Sequence, residues 1–99
     1  MRLTPAQIDT IKSTATAVLG EGAQVTLFGS RVNDTAKGGD VDLMIEVPQD
    51  LADPAVMSAR IASQVSRAMH GRRVDVLLKA PNLLVQPIHR IAAHQGVAL

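Results

Sequence analysis

Apolar residues recur at helical spacing in two long segments of the chain. The first begins at Thr4, a good helix N-cap that proline follows, and ends near Leu19. The second begins in the same way at Asp53 and ends before Gly71. The two apolar stripes are Ile8, Ile11, Ala15, Val18 and Leu19, and Met57, Ile61, Val65, Ala68 and Met69. The pattern therefore predicts two amphipathic helices.

Three shorter segments are typical of strands. Residues 25–28 form a β-branched and aromatic run, and residues 74–78 alternate between apolar and other side chains. Between residues 40 and 47 the period is two, with valines, leucine and isoleucine on one face and Asp40, Asp42, Met44 and Glu46 on the other. A short helix from Pro87, which Gly96 stops, completes the order α-β-β-α-β-α. The pattern predicts an α/β (α+β) fold.

Composition narrows the class of protein. With 99 residues and a formal charge of +1, we expect a single domain over residues 1–99 that is no general nucleic-acid binder. Phe28 is the one aromatic residue, so the chain has no base-stacking platform, and the absence of cysteine excludes disulfides and thiolate zinc sites. Apolar runs never exceed three residues. We therefore expect no membrane span, no secretory signal and a cytoplasmic location.

Three aspartates lie in predicted strands, where aspartate is normally depleted. Asp40 and Asp42 leave the same face of one strand, with Cα atoms about 6.5–7 Å apart, and Asp75 lies in the next strand. If these strands pair, all three carboxylates converge on one side of the sheet. Such a cluster is suited to Mg²⁺ or Mn²⁺, because carboxylate oxygens are the ligands that these cations prefer.

A turn that fits phosphate follows the first strand. Gly29 allows close backbone approach, Ser30 offers a hydroxyl and a backbone N–H, and Arg31 offers a fork of donors. A phosphate-binding turn beside a carboxylate pair is the arrangement that positions a nucleoside triphosphate.

These residues carry a resemblance to a known superfamily. Residues 27–31, the loop ending in two glycines at 38 and 39, and the run from Asp40 to Leu43 resemble the signature of the DNA polymerase beta-type nucleotidyltransferases. The strand of Asp75 is similar to the third carboxylate strand of that superfamily. The length and the helical leader resemble the minimal nucleotidyltransferases, which are often encoded beside a HEPN-domain partner as antitoxins. The resemblance implies a nucleotidyltransferase fold with a small mixed sheet backed by helices.

The resemblance also implies roles for individual residues. Gly29, Ser30 and Arg31 would hold the triphosphate of ATP, and Asp40 and Asp42 would bind two Mg²⁺ ions. Asp75 would share the second metal ion and help to deprotonate an acceptor hydroxyl. The implied function is transfer of AMP from ATP to a hydroxyl on a small helical HEPN-type partner protein, in a toxin–antitoxin pair.

Other interpretations compete with this one. The protein is alternatively a non-catalytic docking or nucleotide-binding module, or a nucleotidyltransferase acting on a small molecule of the antibiotic type. Asp75 alone is also explained as an ion-pair partner of Arg72 or Arg73. Glu46 is expected to be structural, and the three histidines follow no zinc-binding spacing. The apolar residues of 83–85 and 97–99 either form a surface that binds a partner or complete the core.

Overall fold

The structure, a computed structural model, describes residues 3–28 and 41–99. Its elements are, in chain order, α1 (Pro5–Leu19), β1 (Gln24–Phe28), β2 (Val41–Glu46), α2 (Pro54–Ala68), β3 (Val74–Lys79), α3 (Pro87–Gln95) and β4 (Val97–Ala98). The predicted helices and strands are thus confirmed. The predicted order is wrong in one respect, because it omitted β4.

The two long helices begin where their caps predict. The backbone N–H of Gln7 donates to Thr4 Oγ1 at 3.1 Å, and the backbone N–H of Thr4 donates to Gln7 Oε1 at 2.9 Å. This capping box satisfies two groups that the first helical turn would leave unpaired. At α2 the Asp53 carboxylate accepts from the backbone N–H of Val56 at 3.4 Å.

The four strands of the described residues form one sheet in the order β3-β2-β1-β4. β1 pairs antiparallel with both β2 and β4, whereas β2 and β3 run parallel, so the sheet is mixed as predicted. The small α+β fold with a mixed sheet is confirmed.

β4 was missed because it is only two residues long and follows a helix directly. Gly96 makes this connection possible, since it lies against β1. A Cβ at position 96 would collide with the Thr26 side chain and the Ala92 carbonyl oxygen. The leucine that follows β4, Leu99, donates its backbone N–H to the Val25 carbonyl at 2.9 Å.

The main core lies on one face of the sheet, beneath α1 and α2. Leu43 and Ile45 of β2 are fully buried there, together with Ile11 of α1 and Ile61 and Val65 of α2. The predicted apolar stripes of both helices therefore meet the predicted apolar face of β2, and this contact supplies most of the buried hydrophobic surface.

The opposite face of the sheet is covered only in part. Phe28, Met44 and Ala92 form a second, smaller buried cluster where α3 packs on β1 and β2, and Leu77 packs against it. Met44 therefore serves packing, although it shares its face with Asp42. No helix among residues 3–28 and 41–99 is long and apolar enough to cross a membrane.

Candidate functional site

Two of the three predicted carboxylates lie directly opposite each other in the sheet. Asp42 of β2 and Asp75 of β3 are Cα partners in the parallel ladder, and both residues are half-buried. Partners in register point to the same face, and neighbouring strands are about 4.8 Å apart. The expectation that carboxylates from the two strands converge on one side of the sheet is confirmed for this pair.

The first strand ends beside the same pair. Phe28, the last residue of β1, is the Cα partner of Asp42. The chain therefore enters the predicted phosphate-binding turn from a position next to the carboxylates. Gly29, Ser30, Arg31 and Asp40 lie outside the described residues, and their roles stay predictions.

Asp75 takes part in an ion pair. Arg73 Nε donates to Asp75 Oδ1 at 3.3 Å, with the two side chains 73% and 47% exposed. The alternative reading of Asp75 as a partner of a neighbouring arginine is therefore correct as a description of its contacts. A pair this exposed is worth little, about 0–1 kcal/mol, so it leaves Asp75 available for other ligands.

The donor set at this position fits a magnesium ion that also binds phosphate. Among the described residues, no group of three or more histidine, cysteine, aspartate or glutamate side chains could hold a metal ion. Mg²⁺, however, is usually bound by one or two carboxylates, with substrate phosphates and water completing its shell. Asp42 and Asp75 supply such a pair, and Asp40 would add a third carboxylate.

The other acidic residue on this face is engaged differently. Glu46 is the Cα partner of Lys79, and Glu46 Oε2 lies 3.8 Å from Lys79 Nζ. This pairing agrees with the structural role expected for Glu46.

His89 has a structural role that sequence reasoning did not predict. It is 4% exposed, and its Nδ1 accepts from the backbone N–H of Gln86 at 2.9 Å. Because Nδ1 accepts, Nε2 carries the proton and donates to the Leu78 carbonyl at 3.0 Å. Both ring nitrogens are thus used to fix the start of α3 against β3, which leaves neither for a metal ion.

Comparison with protein families identifies the kind of domain that this chain contains. A family model described as a nucleotidyltransferase domain matches residues 10–95, which include both strands of the carboxylate pair and residues 29–40. No curated relative matches the sequence.

Proposed function

We propose a specific reaction on the premise that this chain belongs to the nucleotidyltransferase domain family. Nucleotidyl transfer is the general activity that membership supports. Within it, we propose that the protein transfers AMP from ATP to a hydroxyl on a partner protein, in a reaction that depends on Mg²⁺.

The observation that carries this proposal is the register of β2 and β3, which sets Asp42 opposite Asp75. Like charges directly opposite each other in a sheet are destabilising. A divalent cation placed between these two carboxylates would remove that repulsion, and the phosphates of a bound triphosphate would complete its coordination.

The proposed roles divide between three carboxylates and the predicted turn after β1. Asp40 and Asp42 would hold two Mg²⁺ ions with Asp75 sharing the second, and Gly29, Ser30 and Arg31 would hold the triphosphate. When bound, Mg²⁺ would neutralise charge on the phosphates and on the carboxylates.

The transfer itself forms one bond and breaks another. The acceptor oxygen attacks the α-phosphorus, a new oxygen–phosphorus bond forms, and the bond from the α-phosphorus to the bridging oxygen breaks. Pyrophosphate leaves with the electron pair of that bond. The acceptor proton passes to the Asp75 carboxylate, for which we assign Oδ2 because Arg73 donates to Oδ1.

A partner protein as acceptor is supported by the surface near the C-terminus. Leu84, Val85, Ile88 and Ile91 are exposed, whereas Leu83 and Leu99 pack against the core. Grouped exposed apolar residues are typical of surfaces that bind other proteins. A helical HEPN-type protein in a toxin–antitoxin pair is the partner we propose. The same surface also favours the second candidate function, neutralisation of a partner by docking alone.

Labelling tests the proposal and separates the two candidates. The protein is incubated with Mg²⁺, ATP labelled at the α-phosphate and the product of the neighbouring gene, which is tested as the proposed partner. We expect label on that protein, and a loss of about 10²–10³-fold or more in the Asp42→Asn variant, because charge stabilisation at the reacting phosphate is lost. Glu46→Gln is the matched control, since it removes a carboxylate from the same face and should label normally.

Tight complex formation without label would favour docking alone. Full labelling by a folded Asp42→Asn variant would overturn the assignment of the carboxylates. Folding of each variant is checked by its thermal unfolding.

A further inference from the structure

The edge of the sheet that β3 forms has backbone N–H and carbonyl groups that point away from the sheet. β3 is an edge strand of the sheet. The N–H groups of Val41 and Val47 donate to the carbonyls of Arg73 and Lys79, each at 2.9 Å, so the peptide groups of these two residues face β2. Peptide groups alternate in direction along a strand, so those of Val74, Val76 and Leu78 face outward. Within the described part of the chain, the Leu78 carbonyl, bound by His89, is the one outward group with a hydrogen-bond partner.

A groove of about 320 Å³ lies along the part of this edge that residues 76–78 form, next to Asp75. Val76 and Leu78 belong to its floor, Ala55 at the start of α2 to one wall, and Leu84 and His89 to the other. Leu84 is 81% exposed. The second wall is held in place because the Asn82 side chain bonds the backbone N–H and carbonyl of Leu51 at 3.0 and 2.8 Å. The groove is therefore held in place by hydrogen bonds, with backbone groups of β3 on its floor and apolar side chains on its walls.

We propose that this edge binds the acceptor as an added antiparallel β-strand, which sets the acceptor's hydroxyl-bearing residue opposite Asp75. The proposal rests on the proposed function, because it names how the acceptor reaches that site. An extended segment is the occupant that open strand edges recognise, through main-chain hydrogen bonds that do not depend on its sequence.

The alternation of β3 fixes which acceptor residue reaches the carboxylates. Val74 and Val76 would each exchange two hydrogen bonds with the added strand, and the residue between those partners would lie opposite Asp75. Such a residue is in a non-hydrogen-bonded pair, with a Cα–Cα distance of about 4.5 Å, and it points to the same face as Asp75. Its hydroxyl would then lie beside the group to which we assign the acceptor proton.

The neighbours of Asp75 on the same face set the chemistry of the segment. Arg73 favours an acidic residue on one side of the hydroxyl residue, and Leu77 favours an apolar one on the other. The residues opposite Val74 and Val76 would point to the face of the sheet that α2 covers and suit valine, and the one opposite Val76 would lie at the Ala55 wall of the groove. A second copy of the chain fits less well, because β3 strands paired about Val76 would oppose Arg73 with Lys79, and like charges repel.

The test uses two peptides and needs no variant in its first arm. The probe is acetyl-Leu-Val-Tyr-Val-Glu-amide, in which the register places tyrosine opposite Asp75. The control has the same side chains but carries N-methyl groups on both valine amides, which removes the donors to Val74 and Val76. With Mg²⁺ and α-labelled ATP, we expect label on the first peptide and at least about tenfold lower kcat/KM for the second.

The second arm changes the protein. Val76→Pro removes an outward N–H that takes no part in the β2–β3 ladder, and proline is tolerated on edge strands. Val76→Thr is the matched control that keeps the N–H. We expect peptide labelling to fall at least about tenfold in Val76→Pro and to persist in Val76→Thr, while Mn²⁺–ATP binding, measured by electron paramagnetic resonance, stays unchanged in both. Amide chemical shifts of Val74 and Val76 in the wild type should move on peptide addition without nucleotide.

The outcomes separate this inference from the proposed function. Label on the helical partner protein together with equal labelling of both peptides, or of neither, would overturn strand addition and leave nucleotidyl transfer intact. Absence of both Mn²⁺–ATP binding and label in the wild type would overturn the proposed function itself. A dimer that Val76→Pro dissociates would show that a second copy occupies the edge and would also overturn the inference.

Discussion

The two ends of the ladder between β2 and β3 pair charged side chains in opposite ways. At one end Asp42 faces Asp75, and at the other Glu46 faces Lys79, on the same face of the same parallel strands. The second pair places an anion beside a cation, with 3.8 Å between Glu46 Oε2 and Lys79 Nζ. The first pair places two anions together.

The difference between the ends indicates where the chain serves stability and where it serves chemistry. Opposite charges across a ladder stabilise it slightly, and like charges destabilise it by a similar amount. The like-charged end also adjoins the end of β1, from which the chain enters the predicted phosphate-binding turn. The buried apolar residues on the other face of the strands are expected to supply most of the stability of both ends.

The largest effect on stability is expected at the residue next to Asp42. Leu43 points to the opposite face and is fully buried. Leu43→Ala should lower the free energy of unfolding by about 2–5 kcal/mol, because it removes buried methyl groups and leaves a cavity. Urea denaturation followed by circular dichroism measures this loss. An equal loss of stability in Asp42→Asn would contradict the assignment of stability to the buried face of β2 and of chemistry to the carboxylate face.

Stabilisation by a bound ligand should distinguish variants at the two ends, with a smaller effect on the free energy of unfolding than that of Leu43→Ala. Mg²⁺ with ATP, at 100 times the dissociation constant, should stabilise the wild type by about 2.7 kcal/mol and raise Tm by about 10 °C or more. Asp75→Asn should lose most of this shift, and Glu46→Gln should keep it. Without ligand, Asp75→Asn should be about as stable as the wild type, because the lost pair with Arg73 is exposed and the removed charge faced Asp42. Scanning calorimetry in chelator and in excess Mg²⁺–ATP measures both quantities.

Strand periodicity predicted the carboxylate pair, and the register confirmed it. The period of two fixed the faces of β2, and an aspartate between valines in β3 indicated that Asp75 points away from the core. Whether β3 lies beside β2 is a matter of topology, which local spacing does not encode. The prediction was therefore conditional, and the parallel pairing of the strands completed it.

Long-range contacts account for what sequence reasoning missed. β4 consists of two residues, too few for any period, and its pairing with Thr26 and Leu27 depends on the close approach of Gly96 to β1. For His89, the sequence predicted only that it belongs to no zinc-binding pattern. Its buried position depends on the Leu78 carbonyl, which is available only because that side of β3 is an edge. The resemblance to nucleotidyltransferases, by contrast, needed only local motifs, and the family match supports membership of that superfamily.

The smallest effect is expected at the oppositely charged end. Glu46 lies four residues beyond Asp42, about 13 Å along the strand, whereas ligands of Mg²⁺ lie about 2 Å from the ion. Its pair with Lys79 is exposed, at 49% and 33% for the two side chains, so Glu46→Gln should change the free energy of unfolding by less than about 0.5 kcal/mol. Nucleotidyl transfer should stay within about twofold of the wild type, which labelling measures. A tenfold loss of transfer at unchanged stability would mean that the site extends along the whole carboxylate face, and the contrast between the two ends would no longer hold.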